Sequence, residues 1–233
     1  MSAVAAASGA AGYSIVARPA GLARASVAEV WWSRNLTSWV QAQDMNVTTG
    51  STQALAVAAD PHGFVSVGSH GTQPAVWTTT DGRLWTTIVL AMPAGASSAA
   101  LQRVAINGER VVALGQEITA SGATPFAELS ADGGASWRQV RFSAPGPGTV
   151  ITAVTAGPGG FTAAGQYGQP GQQTVVAWTS ASGLTWTQVP VSGLGGGSDA
   201  ITALASSGSA VTAVGSAATS QGRRFLLLAL PPG

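Results

Sequence analysis

The sequence predicts an all-β fold made of five copies of one four-stranded unit, and three observations carry that prediction. The first is a set of short apolar runs that end in glycine. "FVSVG" ends at Gly68, "VVALG" at Gly115, "FTAAG" at Gly165 and "AVTAVG" at Gly215, with spacings of 47, 50 and 50 residues. "YSIVA" ends at Ala17, a further 51 residues before Gly68. The second is a set of tryptophans. Trp39, Trp85, Trp137 and Trp186 lie 46, 52 and 49 residues apart. Two independent markers thus share one period, and a fixed period of this size signals a repeat architecture. The third is the absence of any stretch with a sustained helical period and caps.

Within each period the elements follow in a fixed order. A first run alternates apolar and small residues, as in "ALAVAA", "RVAIN", "ITAVTA" and "ITALAS". A tight turn follows, "DPHG", "NGER", "GPGG" or "SSGS". Glycine supplies positive φ there, proline presets φ, and Asn or Asp bonds its own backbone. The glycine-ended run is the second strand. A longer polar loop leads to a third strand, "AVWTT", "FAELS" or "VVAWTS". A turn such as "TDGRLW" then opens a fourth, "WTTIVL", "WRQVRF" or "WTQVPV". Val, Ile, Thr and Trp favour strands throughout.

Four strands in forty to fifty residues make the blade of a β-propeller. The repeats cover roughly residues 1–43, 53–90, 102–142, 150–191 and 200–231, in a single propeller domain expected over 1–233. The last repeat stops after its third strand, "RRFLLLALPPG". Two arrangements stay open: a five-bladed ring with a three-stranded last blade, or part of a larger propeller. The ring is favoured, because five lies within the usual range of about four to eight blades. An open arc would expose the apolar faces of its end blades and should self-associate.

Composition narrows the function. Only 8% of the 233 residues are charged and the formal net charge is +1, which gives nucleic acid or an anionic membrane little to hold. All ten basic residues are arginine, and with abundant alanine this points to a GC-rich genome such as that of an actinobacterium. There is no cysteine, which excludes disulfides, thiolate metal sites and cysteine nucleophiles. The longest strongly apolar run, "FLLLAL" at 225–230, is too short to span a bilayer, so no membrane insertion is expected. The start "MSAVAAASGAAG" lacks the positive region of a signal peptide; the expectation is an extracytoplasmic protein whose signal or anchor is not in this chain.

The Trp-closed turn resembles the Asp-box of sialidase-like and photosystem-assembly-like propellers, Ser-x-Asp-x-Gly-x-x-Trp. Ser130, Asp132, Gly134 and Trp137 match in full. Thr79, Asp81, Gly82 and Trp85 match with one residue deleted, and Ser180, Ser182, Gly183 and Trp186 lack the carboxylate. Ser33, Asn35 and Trp39 form the weakest copy, and the fifth repeat has none. The Asp, Asn or Ser is expected to accept backbone N–H groups and hold the turn, not to bind a cation, which needs several oxygens at one point. The Trp is expected to wedge between blades, buried at Trp85, Trp137 and Trp186.

The resemblance raises sialidase-like catalysis, which needs an arginine cluster, a tyrosine nucleophile and an acid. Arg18, Arg24, Arg103, Arg223 and Arg224 are available, but the only tyrosines are Tyr13, at a core strand position, and Tyr167, in a loop without arginine nearby. His62 and His70 read as turn residues, and no lysine exists for a phosphate loop. The chain is therefore expected not to be an enzyme and to need no cofactor or metal. What remains is a binding surface where the loops after each second strand gather. Gln116, Glu117, Gln166, Tyr167 and Arg18 are its expected ligand-binding residues, with Ser69 and Ser216 in equivalent places. The expected partner is an unidentified protein, in a binding or scaffold role; the alternative is a glycan, held by a carbohydrate-binding module or degenerate sialidase-like glycosidase.

Overall fold

The computed structural model of the chain describes residues 2–18, 29–42, 51–146, 148–169, 172–192, 194, 199–219 and 221–232. It is an all-β, five-bladed propeller with no helix among these residues. Blade 1 holds β1 (Ser2–Gly9), β2 (Gly12–Arg18), β3 (Glu29–Ser33) and β4 (Val40–Gln41). Blade 2 holds β5 (Thr52–Asp60), β6 (Gly63–His70), β7 (Gln73–Thr79) and β8 (Thr86–Val89). Blade 3 holds β9 (Ser98–Asn107), β10 (Arg110–Thr119), β11 (Gly122–Ser130) and β12 (Arg138–Val140). Blade 4 holds β13 (Val150–Gly157), β14 (Gly160–Tyr167), β15 (Thr174–Ser180) and β16 (Thr187–Val189). Blade 5 has three strands, β17 (Ala200–Ser207), β18 (Ala210–Thr219) and β19 (Gly222–Leu230). Each blade is an antiparallel sheet in sequence order, inner strand first.

The periodic glycine now has a cause. In blades 2, 4 and 5 the inner strand carries an irregularity opposite it, between Ala54 and Ala56, Ile151 and Ala153, and Ile201 and Ala203. Blade 3 has its register shift between Leu114 and Gly115. The bulge presses the inner strand onto the second strand. A Cβ at Gly68, Gly115, Gly165 or Gly215 would run into the carbonyl of Gln53, Ala100, Val150 or Ala200. Close approach, rather than a special φ, keeps glycine here.

Every blade has two faces, and every internal seam joins the trailing face of one blade to the leading face of the next. Ala5, Val16, Val30 and Trp32 of blade 1 meet Phe64, Trp77 and Trp85 of blade 2. Val65, Val67 and Val76 of blade 2 meet Leu101, Val111 and Phe126 of blade 3. Val112, Leu114 and Leu129 of blade 3 meet Phe161, Trp178 and Trp186 of blade 4. Ala164, Val175 and Ala177 of blade 4 meet Ile201, Val211 and Leu230 of blade 5. The core is thus four slabs between blades. Polar stitches cross them as well: Asn107 Nδ2 donates to Gly157 O (3.0 Å), Arg103 Nε to Thr152 O (2.6 Å), and Ser206 Oγ to Ala156 O. Inner strands pack side by side from β1 through β5, β9 and β13 to β17; no packing of that extent joins β17 to β1 among the described residues.

The Trp-closed turns are built alike in four blades. The indole N–H of Trp39, Trp85, Trp137 and Trp186 donates to the carbonyl three residues back, at 3.2, 3.1, 2.9 and 3.2 Å. The Ser or Thr hydroxyl that opens the turn accepts from Leu36, Gly82, Gly134 or Gly183 N–H at 2.8–3.0 Å. Asn35 and Asp81 Oδ1 each accept two further backbone N–H groups. Those bonds from Arg83 and Leu84 hold the Asp81 carboxyl below its usual range. Asp132 accepts from Ser136 Oγ and N–H and from Ser130 Oγ, which lowers its carboxyl to about 2. The expected staple is what these side chains form.

These turns also lean on the preceding blade. A Cβ at Gly82 would enter the Trp32 ring, and one at Gly183 would meet Val112 and Leu129. Blade 1 has no preceding blade among the described residues and places Leu36 there instead, at φ 66° and 55% exposed. It is the one non-glycine residue with positive φ among the described residues. Left-handed backbone costs a side-chain-bearing residue about 1 kcal/mol or more. Leu36→Gly is therefore expected to raise stability by about 1 kcal/mol in chemical denaturation; an unchanged midpoint would contradict strain at this turn.

One tryptophan departs from expectation. Trp85 and Trp186 are buried, but Trp137 is only half-buried. Trp85 and Trp186 each pack against a phenylalanine of their own blade, Phe64 and Phe161, at 6.4 Å between ring centroids. Blade 3 has Val111 at that position, which covers less of the ring. Tyr13 also differs from its expected core setting. It holds the Phe64 position of blade 1, but it is only half-buried and borders a 390 Å³ hollow with Ser8, Gly12 and Arg34.

Candidate functional site

The loops after the second strands and the inter-blade linkers share one face of the propeller. The first turns of the blades and the Trp-closed turns share the other. The expected ligand-binding residues fall on the linker side of their blades but within strands rather than in the loops after them: Gln116 and Glu117 lie inside β10, and Gln166 and Tyr167 close β14. The side chain of Arg18 lies outside the described residues, as do Arg24 and most of the loop 18–28.

Gln116 and Gln166 occupy equivalent places and are engaged in the same way. Gln116 Nε2 donates to Thr149 O at 3.3 Å, and Gln166 Nε2 donates to Asp199 O at 2.9 Å. Thr149 and Asp199 are buried residues just ahead of the next inner strand. Each glutamine thus stitches its blade to the linker that starts the following one. Strand alternation could have shown this side facing the next blade; nothing local named the acceptor.

Glu117 and Tyr167 point to the opposite side of their blades. Glu117 Oε1 accepts from Thr124 Oγ1 at 3.1 Å, while Oε2 is shielded and has no hydrogen-bond partner. The residue borders a 300 Å³ hollow with Phe126, Gln139, Arg141 and Phe142. Tyr167 is 37% exposed, with its ring beside Gly146 in the linker between blades 3 and 4. That linker is folded on itself, Thr149 Oγ1 donating to Gly146 O at 2.7 Å. Gln116 and Tyr167 therefore flank one linker turn, so the structure brings these two together.

Other polar residues are engaged in the fold. Arg103 donates to Thr152 O and Gln102 O, and burial pushes its guanidinium below its usual value. His70 ends β6 rather than lying in a loop, with Nδ1 3.2 Å from Thr52 Oγ1. His62 sits in the first turn of blade 2. No group of three or more His, Cys, Asp or Glu that could hold a metal ion exists among the described residues. No helix among them is long and apolar enough to cross a membrane.

A larger hollow, 510 Å³, opens on the other face, between the turns of blades 2 and 3. Asp60, His62, Glu109 and Asp132 line it, with Phe64 and Leu84. Sequence reasoning did not join these acids. Asp60 and Glu109 lie one period apart in equivalent turns, and that is the signal it had. Asp60 Oδ1 already accepts from His62 and Gly63 N–H at 2.7 and 2.9 Å. With Asp60 and Asp132 both held as turn staples, the hollow has little carboxylate left to offer.

The architecture places the chain among β-propeller proteins. No family model matches the chain, and no curated protein matches it in sequence. Solved structures do match in fold. YCF48 bound to D1 peptide superposes with a TM-score of 0.54 at 15% identity, covering 98% of this chain and 63% of that one. A mutant of the Aleuria aurantia lectin AAL in complex with Fucalpha1-6GlcNAc gives 0.58 at 17% identity, over 98% and 76%. The Bombyx mori GH32 beta-fructofuranosidase BmSUC1 gives 0.55 at 8% identity, over 92% and 54%. The chain thus spans less than two thirds of the length of YCF48 and of the fructofuranosidase. The likeness is one of fold, shared by peptide-bound, glycan-bound and hydrolytic propellers.

Proposed function

We propose that the protein is a non-catalytic binding or scaffold domain that holds a protein segment on its linker face, beside blades 3 and 4. The supporting observation is the half-used carboxylate of Glu117. Its Oε2 has no donor, and Glu117 lines a hollow with Arg141 and two aromatic rings. A carboxylate acceptor, a guanidinium donor and an apolar wall suit an extended peptide, whose backbone offers N–H and C=O groups at short intervals. Tyr167, one seam away, adds an exposed amphipathic ring of the kind that anchors interfaces. The peptide-bound YCF48 propeller is in keeping with this reading, and an extracytoplasmic setting belongs to the same proposal. Glycan binding is the second reading, favoured by the lectin propeller and by Tyr167, whose face could stack on a sugar ring.

A peptide display library and a glycan array, each probed with the purified protein, separate the two. For the bound partner, Glu117→Ala is expected to weaken affinity by about 1–2 kcal/mol, and Tyr167→Ala by about 2 kcal/mol. Gln116→Ala would weaken the seam as well as any ligand contact, so its effect is read only with a melting curve beside it. Hydrogen-exchange protection by the partner is expected at residues 116–125 and 166–173. A partner that binds without protecting either stretch would remove the linker-face site.

A further inference from the structure

We propose that the seam between blades 2 and 3 is a pH-operated joint: the two blades part along it when Glu128 is charged, while the other three seams stay closed. One side chain sets the place of this joint. The leading-face position opposite the middle of the second strand holds Trp77 in blade 2, Trp178 in blade 4 and Leu228 in blade 5. Blade 3 holds Glu128 there, opposite Ala113 and 4% exposed. Trp178 fills its seam and ties its indole N–H to Ser143 O at 2.9 Å. Glu128 brings less volume, and among the described residues its carboxyl has no hydrogen bond or ion pair; burial is what acts on it. A charge sealed in an apolar slab without a donor is strongly unfavourable, and contact with water relieves it.

The packing is already loose at both ends of this seam. At the Trp-turn end, the 510 Å³ hollow separates Val65 and Thr78 of blade 2 from Glu109 and Asp132 of blade 3. Trp137 belongs to that end and is half-buried, whereas Trp85 and Trp186 are buried in the seams on either side. At the linker end, the 300 Å³ hollow borders the same face of blade 3, on which Glu117 and Phe126 lie. The other titratable groups of the seam stand at these ends: Asp60, His62, Glu109 and Asp132 in the first hollow, Glu117 and Arg141 in the second. Between the ends, blade 2 turns Val67, Val76 and Ile88 towards Glu128, the linker adds Leu90 and Met92, and the inner strand of blade 3 adds Leu101. Gln139 is the neighbour of Glu128 in β12. Parting the blades joins the two hollows and hydrates the carboxylate, while the ladders within each blade stay intact; this is local opening, not unfolding. Closed, Glu128 keeps its proton up to about 7, against 4.5 for a hydrated carboxyl. Opening releases that proton, so rising pH favours the open form across this window and adds little well above it.

The chain has no cysteine, so single introduced thiols report the seams one at a time. Val67→Cys, at a 0% exposed position of blade 2, reports the joint; Val112→Cys, at 1% in blade 3, reports the next seam. Rates of thiol labelling are scaled to Ser121→Cys, at an exposed position, which removes the pH dependence of the thiol itself. Val67→Cys is expected to react at least ~10-fold faster than Val112→Cys at about pH 8, with little dependence on low urea. Its rate should rise about 10-fold between about pH 6 and about pH 8. Adding Glu128→Gln should remove that rise. If Val67→Cys does not fold, Val76→Cys, also 0% exposed on the same face, takes its place. Equal rates at the two seams would mean that the thiols are reached only by global unfolding, and would overturn the proposal. So would a rise that survives Glu128→Gln, or a rate at the joint that is flat with pH.

Discussion

Replacing Trp178 by alanine is expected to cost about 4 kcal/mol of folding stability. The ring is 0% exposed and fills the seam between blades 3 and 4. It meets Phe142 at 4.9 Å between centroids, and Phe142 in turn meets Trp186 at 5.4 Å. Alanine would leave a cavity in a slab only two side chains thick, whose backbone is fixed by ladders on both sides and cannot collapse. It would also leave Ser143 O without its indole donor. Urea denaturation should show the loss as a lower midpoint at unchanged slope. Trp178→Phe, which keeps most of the apolar volume, should cost far less. A midpoint unmoved by Trp178→Ala would mean that the seams do not carry the stability.

Glu128 should make the protein less stable as pH rises from about 4.5 to about 7. It occupies in β11 the place that Trp77 and Trp178 occupy in their blades, opposite Ala113 and facing blade 2. It is 4% exposed, and burial raises its carboxyl from 4.5 to about 7. The folded state thus keeps a proton that the unfolded chain gives up at lower pH. The stabilising contribution is present in full below the unfolded value, falls through the window between the two, and is gone above the folded value. Taken over the whole window the change is ~3 kcal/mol. Glu128→Gln should match the wild type near pH 4 and exceed it at pH 8, when midpoints are compared across pH. A wild-type profile that is flat between those values would refute the buried acid. Asp132, with its lowered carboxyl, acts in the opposite sense and only at more acid pH.

Blade count, strand order and turn positions were legible in the sequence, because each depends on residues close together in the chain. Alternation set the strands, Gly, Pro, Asn and Asp set the turns, and the period near fifty set the copies. Even the staple role of Asp81 and Asp132 followed from local chemistry, since their partners lie two to four residues away. The site was less legible. Glu117 and Tyr167 kept polar or exposed surface, whereas Gln116 and Gln166 reach acceptors 33 residues away that no local pattern names.

By itself, then, the sequence determined the blade: four strands, a glycine at the second and a tryptophan at the fourth. Tertiary structure decided what each blade's faces meet. Burial is a property of the neighbour as much as of the residue, so equivalent positions diverge. Trp178 is sealed and Trp31 is not; Val76 is sealed and Leu227 is open. The glycine at the second strand was visible as a period, but its reason, an inner strand bulged against it, appears only when the two strands are placed side by side. Among the described residues no packing joins β17 to β1 as it joins the other inner strands, and this has the same origin. Each blade specifies two faces, and only the angle accumulated over four packed seams decides whether the last face reaches the first.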